Sequence, residues 1–266
     1  MAARGLRNPA RGVTTAQAIG RSLRTYHAPG RAARLDGFHR RFLTPGELAF
    51  DIGAHVGDRA ASFRRLGARV VAVEPQPRLA RLLRLLYGRD AGMARVAALV
   101  GAAPGEAVLR LNTANPTVAT ASPDFIAAAD GAPGWEGQRW DAEITLPVTT
   151  LDALAATHGR PALIKLDVEG YEAAALAGLS FAPRTLSFEF TTIQRGVAFA
   201  CLDRLSGLGY RAFNACLGES MAFAHPAPLD AAGMAAWIAG LPAAANSGDV
   251  YACAEPARIT PAAPPS

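Results

Sequence analysis

"AFDIGAHVGDRA", Ala49 to Ala60, decides the fold: an apolar run ends on Asp51, a turn carries Gly53 and Gly57, and a helix-forming segment opens at Asp58. A strand that stops at glycine and restarts as a helix is the first half of a β-α-β unit, and ligands of doubly wound sheets sit at such strand ends. The turn reads G-A-H-V-G. It is not the G-x-G-x-x-G that lets a backbone approach a pyrophosphate, and Asp51 would face two phosphate charges with no basic partner in the motif. Taken alone, a short glycine motif is equally an ordinary strand-to-helix turn.

A ligand with a sulfonium and an ammonium and no phosphate reverses that electrostatic sign, because a nearby carboxylate then attracts it. S-adenosylmethionine is such a ligand. "VVAVEP" supplies Glu74 at the end of the next apolar run, about twenty residues on, where an acid can accept hydrogen bonds from two ribose hydroxyls. Outward from these elements, strand-length apolar runs alternate with amphipathic stretches, which predicts an α/β fold of parallel units. "RLARLLRLLYG" is a helix with leucines at three- and four-residue spacing, stopped by Gly88. "ARVAALVG" (Ala94 to Gly101) reads as one strand, "EAVLRLNT" as another, and Ala114 to Asp141 as a long loop holding one short helix. "ALIKLDVEG" and "TLSFEFT" are further strands, and "DVYACAE" is the last.

The 266 residues suffice for one large domain, and no apolar run reaches the length of a membrane span. Nine arginines against Asp36 give residues 1–41 a charge of +8, while the whole chain carries +5, so the remainder is acidic at −3. A nucleic-acid binder would carry its basic excess through the folded part, so no nucleic-acid partner is expected. Residues 1–41 are expected to form a basic, helix-forming extension, 42–254 the folded domain, and 255–266 a Pro/Ala-rich disordered tail. Cys201, Cys216 and Cys253 have no ligand-like spacing and read as reduced core residues, and with no secretory segment the expected compartment is the cytoplasm.

"FDIGAHVGD", "VVAVEPQP", "VTTLDAL", "LIKLDVEGYEAAALAG" and "LSFEFT", in this order, resemble the FkbM family of S-adenosylmethionine-dependent methyltransferases, roughly over Pro45 to Thr192. "IKLDVEGYE" is the most specific piece. The resemblance implies a class I, Rossmann-like methyltransferase: a mostly parallel seven-stranded sheet, helices on both faces, one antiparallel edge strand, and methyl transfer to an oxygen. His55 departs from the Asn common in the family's turn, which puts one contact to the cofactor's methionine end in question. Asp51, Gly53, His55, Gly57 and Glu74 are the expected cofactor residues, with Asn115 from the loop "NTANPTVATAS" joining them.

Methyl transfer requires an aligned acceptor oxygen and a group that takes its proton. Lys165, Asp167 and Glu169 alternate in "IKLDVEG", so an extended segment points them one way. Asp167 is expected between cofactor and acceptor, and either Glu169 or Glu189 is the general base. Three plainer roles stand beside these: an ion pair for Lys165, a first-turn helix carboxylate for Glu169, a helix cap for Glu189. Asp167 and Glu189, on neighbouring strand ends, are candidate oxygen ligands for a divalent metal, but no His/Asp/Asn set has recognisable spacing and the expectation is no metal. Trp135 and Trp140 either stack on an acceptor or pack on their own domain. The expected acceptor is a hydroxyl of a small metabolite, saccharide or glycolipid; the oligomeric state is left open. A nicotinamide-dependent oxidoreductase and a non-catalytic binding module with a basic arm are the alternatives.

Overall fold

A computed structural model describes residues 14–261. Seven strands form the main sheet: β1 (Leu48–Ile52), β2 (Arg69–Val73), β3 (Met93–Val96), β7 (Leu163–Leu166), β8 (Thr185–Thr191), β9 (Phe213–Leu217) and β10 (Ser247–Cys253), in the order β3-β2-β1-β7-β8-β10-β9. β4 (Leu99–Val100), β5 (Gly105–Leu111) and β6 (Ala142–Thr149) form a second sheet, ordered β4-β6-β5. The helices are α1 (Thr15–Tyr26), α2 (Arg31–His39), α3 (Asp58–Arg65), α4 (Pro77–Tyr87), α5 (Pro123–Ala129), α6 (Leu151–His158), α7 (Glu172–Ala177), α8 (Arg195–Gly207) and α9 (Ala231–Gly240).

β1 lies between β2 and β7, parallel to both, and all five of its residues are buried. Such a strand needs apolar side chains on both faces. Phe50 and Ile52 join Val71, Val73, Ile164 and Leu166 against α6, α7, α8 and α9, whereas Ala49, Val70, Ala72 and Leu163 meet α2, α3 and α4. Helices therefore cover both faces, and Asp51, alternating with Ala49, looks towards α3. The chain builds outward from β1 through β2 to β3 and then resumes on the other side with β7, so strand order reverses between β1 and β7.

The class I arrangement is present, and the reversed strand differs from the expectation only in not being at the edge. β10 runs antiparallel to both neighbours but is inserted between β8 and β9, one place in from the edge. The segment Ala94 to Gly101 is also two strands instead of one. β2 ends at Val73, the Glu74 N–H donates to the Val96 carbonyl, and beyond that point no partner remains, so the chain bends and β4 pairs with β6.

Residues 31–41 are part of the domain and not a solvated arm. Leu35, Phe38 and Phe42 are buried, Arg31 is 6% exposed, and Arg41 donates to the Arg258 and Thr260 carbonyls. At the other end Ile259 is fully buried and its carbonyl accepts from the Asn214 side chain, so packing continues past residue 255. Of the tail expected to be disordered, residues 262–266 lie outside the described residues, as do residues 1–13 of the expected basic extension. All three cysteines are free and buried. Among the described residues, no helix is long and apolar enough to cross a membrane.

Candidate active site

At the strand-order reversal, the carboxyl ends of β1, β2, β7 and β8 open into one cleft of about 930 Å³, the solvent space at its mouth included. Gly53 turns the chain out of β1 at φ +83°. A Cβ there would stand 1.8 Å from the Asp167 carbonyl oxygen, so only glycine lets the β1 and β7 ends approach this closely. Gly57, at φ +80°, is the N-cap of α3 and is packed under Leu83 and Tyr87.

Glu74 is 3% exposed, and its two oxygens accept the His55 and Gln76 backbone N–H groups at 2.8 Å each. Burial pushes its pKa up to about 8, against the lowering effect of those amides. Each oxygen keeps a further lone pair for a donor in the cavity. His55 adopts φ +49°, lies edge-on to Tyr26 at 5.3 Å, and is held neutral by burial, with its pKa down to about 4. Its Nε2 is buried on the cavity wall without a partner.

Across the cavity, Lys165 Nζ donates to Asp249 Oδ1 at 2.7 Å and to Asp167 Oδ2 at 3.1 Å. Burial opposes charge on both partners, yet Lys165 and Arg59 outweigh it and hold the Asp167 carboxyl below its ordinary range. Carboxylate oxygens of Asp167, Glu169 and Glu189 lie within 4.8 Å of one another. Burial first, and then the neighbouring acids, push Glu169 and Glu189 well above the usual carboxylate range. Glu172 is a further buried acid there; its Oε1 accepts the Val168 N–H at 2.9 Å.

Gly53, His55, Glu74, Asp167, Glu169 and Glu189 thus meet at the cavity, whereas Asp51, Gly57, Asn115 and Lys165 do not line it. Asp51 is buried beneath the turn, where Oδ2 accepts the Ala60 N–H at 2.9 Å, and burial lifts its pKa to about 7. The expected direct attraction between Asp51 and a cationic ligand is therefore corrected: the strand face it occupies points it at α3. Asn115 turns away to donate to Gln138 at 3.2 Å. Lys165 is buried under Asp167 and reaches the cavity only through that residue. Glu169 joins the cluster for a different reason than alternation, since β7 ends at Leu166 and a left-handed residue at φ +53° brings it round. The first-turn acid of α7 is Glu172, and the N-cap of α8 is Gln194, so neither plain helix-end role applies to Glu169 or Glu189. Trp135 packs edge-on against Phe125 at 5.1 Å and Trp140 donates to the Val118 carbonyl at 2.8 Å, which makes both tryptophans part of their own domain.

Sequence reasoning missed Tyr26, Asp58, Arg59 and Glu219, all on the cavity wall. Arg31 and Arg59 both bond Asp58 and Glu219 at 2.9–3.0 Å, closing a four-membered charge ring at its mouth. Asp58 and Arg59 directly follow the glycine turn at the start of α3, so their position could have flagged them. Tyr26 and Glu219 come from distant segments and leave no local signal.

A family model, the methyltransferase FkbM domain, matches residues 51–212, more than half of the chain. The chain belongs to the FkbM methyltransferase family. FkbM methyltransferases are S-adenosylmethionine-dependent, and S-adenosylmethionine is the cofactor here. The residues present fit it: Glu74 keeps spare acceptor capacity, His55 Nε2 offers an unmatched polar atom, and among the described residues six acids against Arg59 make the wall suit a cationic ligand. The chain matches no curated protein. Solved structures similar to this FkbM protein include a TehB-like SAM-dependent methyltransferase from Corynebacterium glutamicum, 11% identical over 88% of this chain and 95% of that one, with a TM-score of 0.44. An O-methyltransferase from Bacillus cereus in complex with SAH is 10% identical over 90% and 91%, with a TM-score of 0.41. Precorrin-6y C5,15-methyltransferase from Geobacter metallireducens is 13% identical over 84% and 86%, at 0.39. The assignment rests on the family match and not on these likenesses.

Proposed function

We propose that this FkbM methyltransferase transfers a methyl group to a hydroxyl of a small metabolite, saccharide or glycolipid. The observation that carries the proposal is the convergence of Asp167, Glu169 and Glu189 on one end of the cavity, opposite Glu74 and His55. When bound, S-adenosylmethionine supplies a methyl group on positively charged sulfur. Glu74 holds the ribose hydroxyls, and Gly53 and the His55 turn shape the space beside it.

An alcohol is a poor nucleophile while it keeps its proton, and a general base works best with a pKa near the working pH. Glu169 and Glu189 are acids whose surroundings push their pKa upward, and either is suited to take the hydroxyl proton as the oxygen–carbon bond forms. Asp167, kept ionised by Lys165, orients the acceptor and opposes the charge that moves through the site. Among the described residues, the pyrophosphate of a nicotinamide cofactor finds no free cation on this wall, since Arg59 is committed to Asp58 and Glu219. The reduced, buried cysteines support action in the cytoplasm.

The test is to incubate the purified protein with S-adenosylmethionine carrying a ¹³C-methyl group and panels of hydroxylated sugars, glycolipids and small metabolites. A methoxy carbon signal in the product, with release of S-adenosylhomocysteine, supports the proposal. Product methyls only on nitrogen or carbon would contradict it.

A further inference from the structure

Three carboxylates this close repel strongly at the reduced dielectric of a cleft unless protons or a cation lie among them. Asp167, Glu169 and Glu189 offer oxygens within 4.8 Å of one another. The cation next to them, Lys165, donates to Asp167 Oδ2 and is shared with Asp249, which leaves Asp167 Oδ1 free and gives Glu169 and Glu189 nothing. Two further observations point to a ligand. Glu169 is 9% exposed and its carboxylate has no hydrogen-bond donor among the described residues, and Glu189 Oε2 is sealed from solvent without a partner. Buried acceptors of this kind are normally satisfied.

We propose that Asp167, Glu169 and Glu189 bind one divalent hard cation, Mg²⁺ or Mn²⁺, at the acceptor end of the cavity. The ligand set is all oxygen, which selects hard cations over zinc or copper. Mg²⁺ holds oxygens at about 2.0–2.1 Å, so opposite ligands span roughly 4.0–4.2 Å and adjacent ones less, and the three acids, within 4.8 Å of one another, close on the ion by side-chain rotation. Asp167 contributes Oδ1 and stays bonded to Lys165 through Oδ2. Each glutamate spends one oxygen and keeps the other. The proposal departs from the expectation of no metal and adds Glu169 to the pair Asp167 and Glu189: Glu189 is twenty residues from Glu169 and meets it through the pairing of β7 with β8. The chemical contribution of the cation is to favour the oxyanion form of a hydroxyl placed beside it, which rests on the proposed O-methyl transfer.

The experiment titrates chelator-treated full-length protein with Mn²⁺, followed by calorimetry and by loss of the free-ion paramagnetic resonance signal. S-adenosylhomocysteine binding is measured separately on the metal-free protein. One Mn²⁺ per chain is expected, displaced by excess Mg²⁺, with affinity falling at least tenfold in Glu169→Gln and in Glu189→Gln and unchanged in Glu106→Gln. Circular dichroism checks folding, and Glu189→Asp, which keeps the charge and withdraws the oxygen, replaces any variant that fails to fold and is also expected to weaken binding. Absence of Mn²⁺ uptake by the folded wild type, or uptake indifferent to these substitutions, overturns the proposal. Uptake without S-adenosylhomocysteine binding counts against the transferase reading and leaves the cation site standing.

Discussion

Lys165 Nζ stands 3.1 Å from Asp167 Oδ2, and this contact joins the buried floor of the sheet to the acid at the centre of the cavity. Lys165, the sole lysine of the chain, is 3% exposed and is shared with Asp249 on β10. Removing one partner of a buried ion pair strands the other's charge. Lys165→Met is expected to cost about 3–5 kcal/mol, read from denaturant unfolding. Because Lys165 and Arg59 lower the Asp167 pKa below the ordinary 3.8, that contribution is present above pH 3.8 and fades as pH falls through the lower folded value. A loss below about 1 kcal/mol would mean the pair acts as a weak surface contact.

The buried acids Asp51, Glu74 and Glu172 have the opposite sign. Their folded pKa values, about 7, about 8 and about 7, lie above the ordinary 3.8, 4.5 and 4.5. The stability they contribute is complete below pH 4 and is lost as pH rises towards 8, because only the unfolded chain releases those protons freely. Thermal melts of the wild type should therefore fall across this window, and Glu74→Gln, which mimics the neutral acid, should flatten the fall. An unchanged slope in that variant would show Glu74 to be ionised in the folded protein.

Gly53→Ala tests the closeness of the β1 and β7 ends. The added methyl meets the Asp167 carbonyl at 1.8 Å and imposes a left-handed conformation on a residue with a side chain. Together these are expected to destabilise the protein by more than about 2 kcal/mol and to abolish cofactor binding even where the variant folds. Gly105→Ala, with open space at its Cβ, is the control and should unfold within about 0.5 kcal/mol of wild type.

Deletion of residues 1–41 is expected to give an unstable product and not an intact core. It removes Leu35 and Phe38 from the core and uncovers Phe42 and Phe63; it also takes Tyr26 from the cavity wall and Arg31 from Asp58 and Glu219. Circular dichroism and size-exclusion chromatography check this. A soluble, cooperatively melting fragment would restore the view of the segment as an independent extension.

The alternation of apolar runs and helices, together with the Gly53 turn and the Glu74 position, made the sheet and one side of the cavity legible, because these depend on local pattern. Asp51 was legible as a residue and not as a role. Its side depends on strand alternation against a helix whose packing the motif does not state. Arg31 looked like part of a basic arm since charge counting ignores pairing, and its partners Asp58 and Glu219 are 27 and 188 residues away. The break after Val96 follows from the length of β2, the neighbouring strand, which the segment itself does not encode. Tyr26 and Glu219 reach the cavity only by tertiary docking.

Isothermal titration of the full chain with S-adenosylhomocysteine, repeated with Glu74→Ala and with NAD, tests the central claim most directly. The account predicts saturable binding of S-adenosylhomocysteine, weakened by about 1–3 kcal/mol when Glu74 is lost, and no heat from NAD. Binding of NAD alone, or S-adenosylhomocysteine binding indifferent to Glu74, would contradict it.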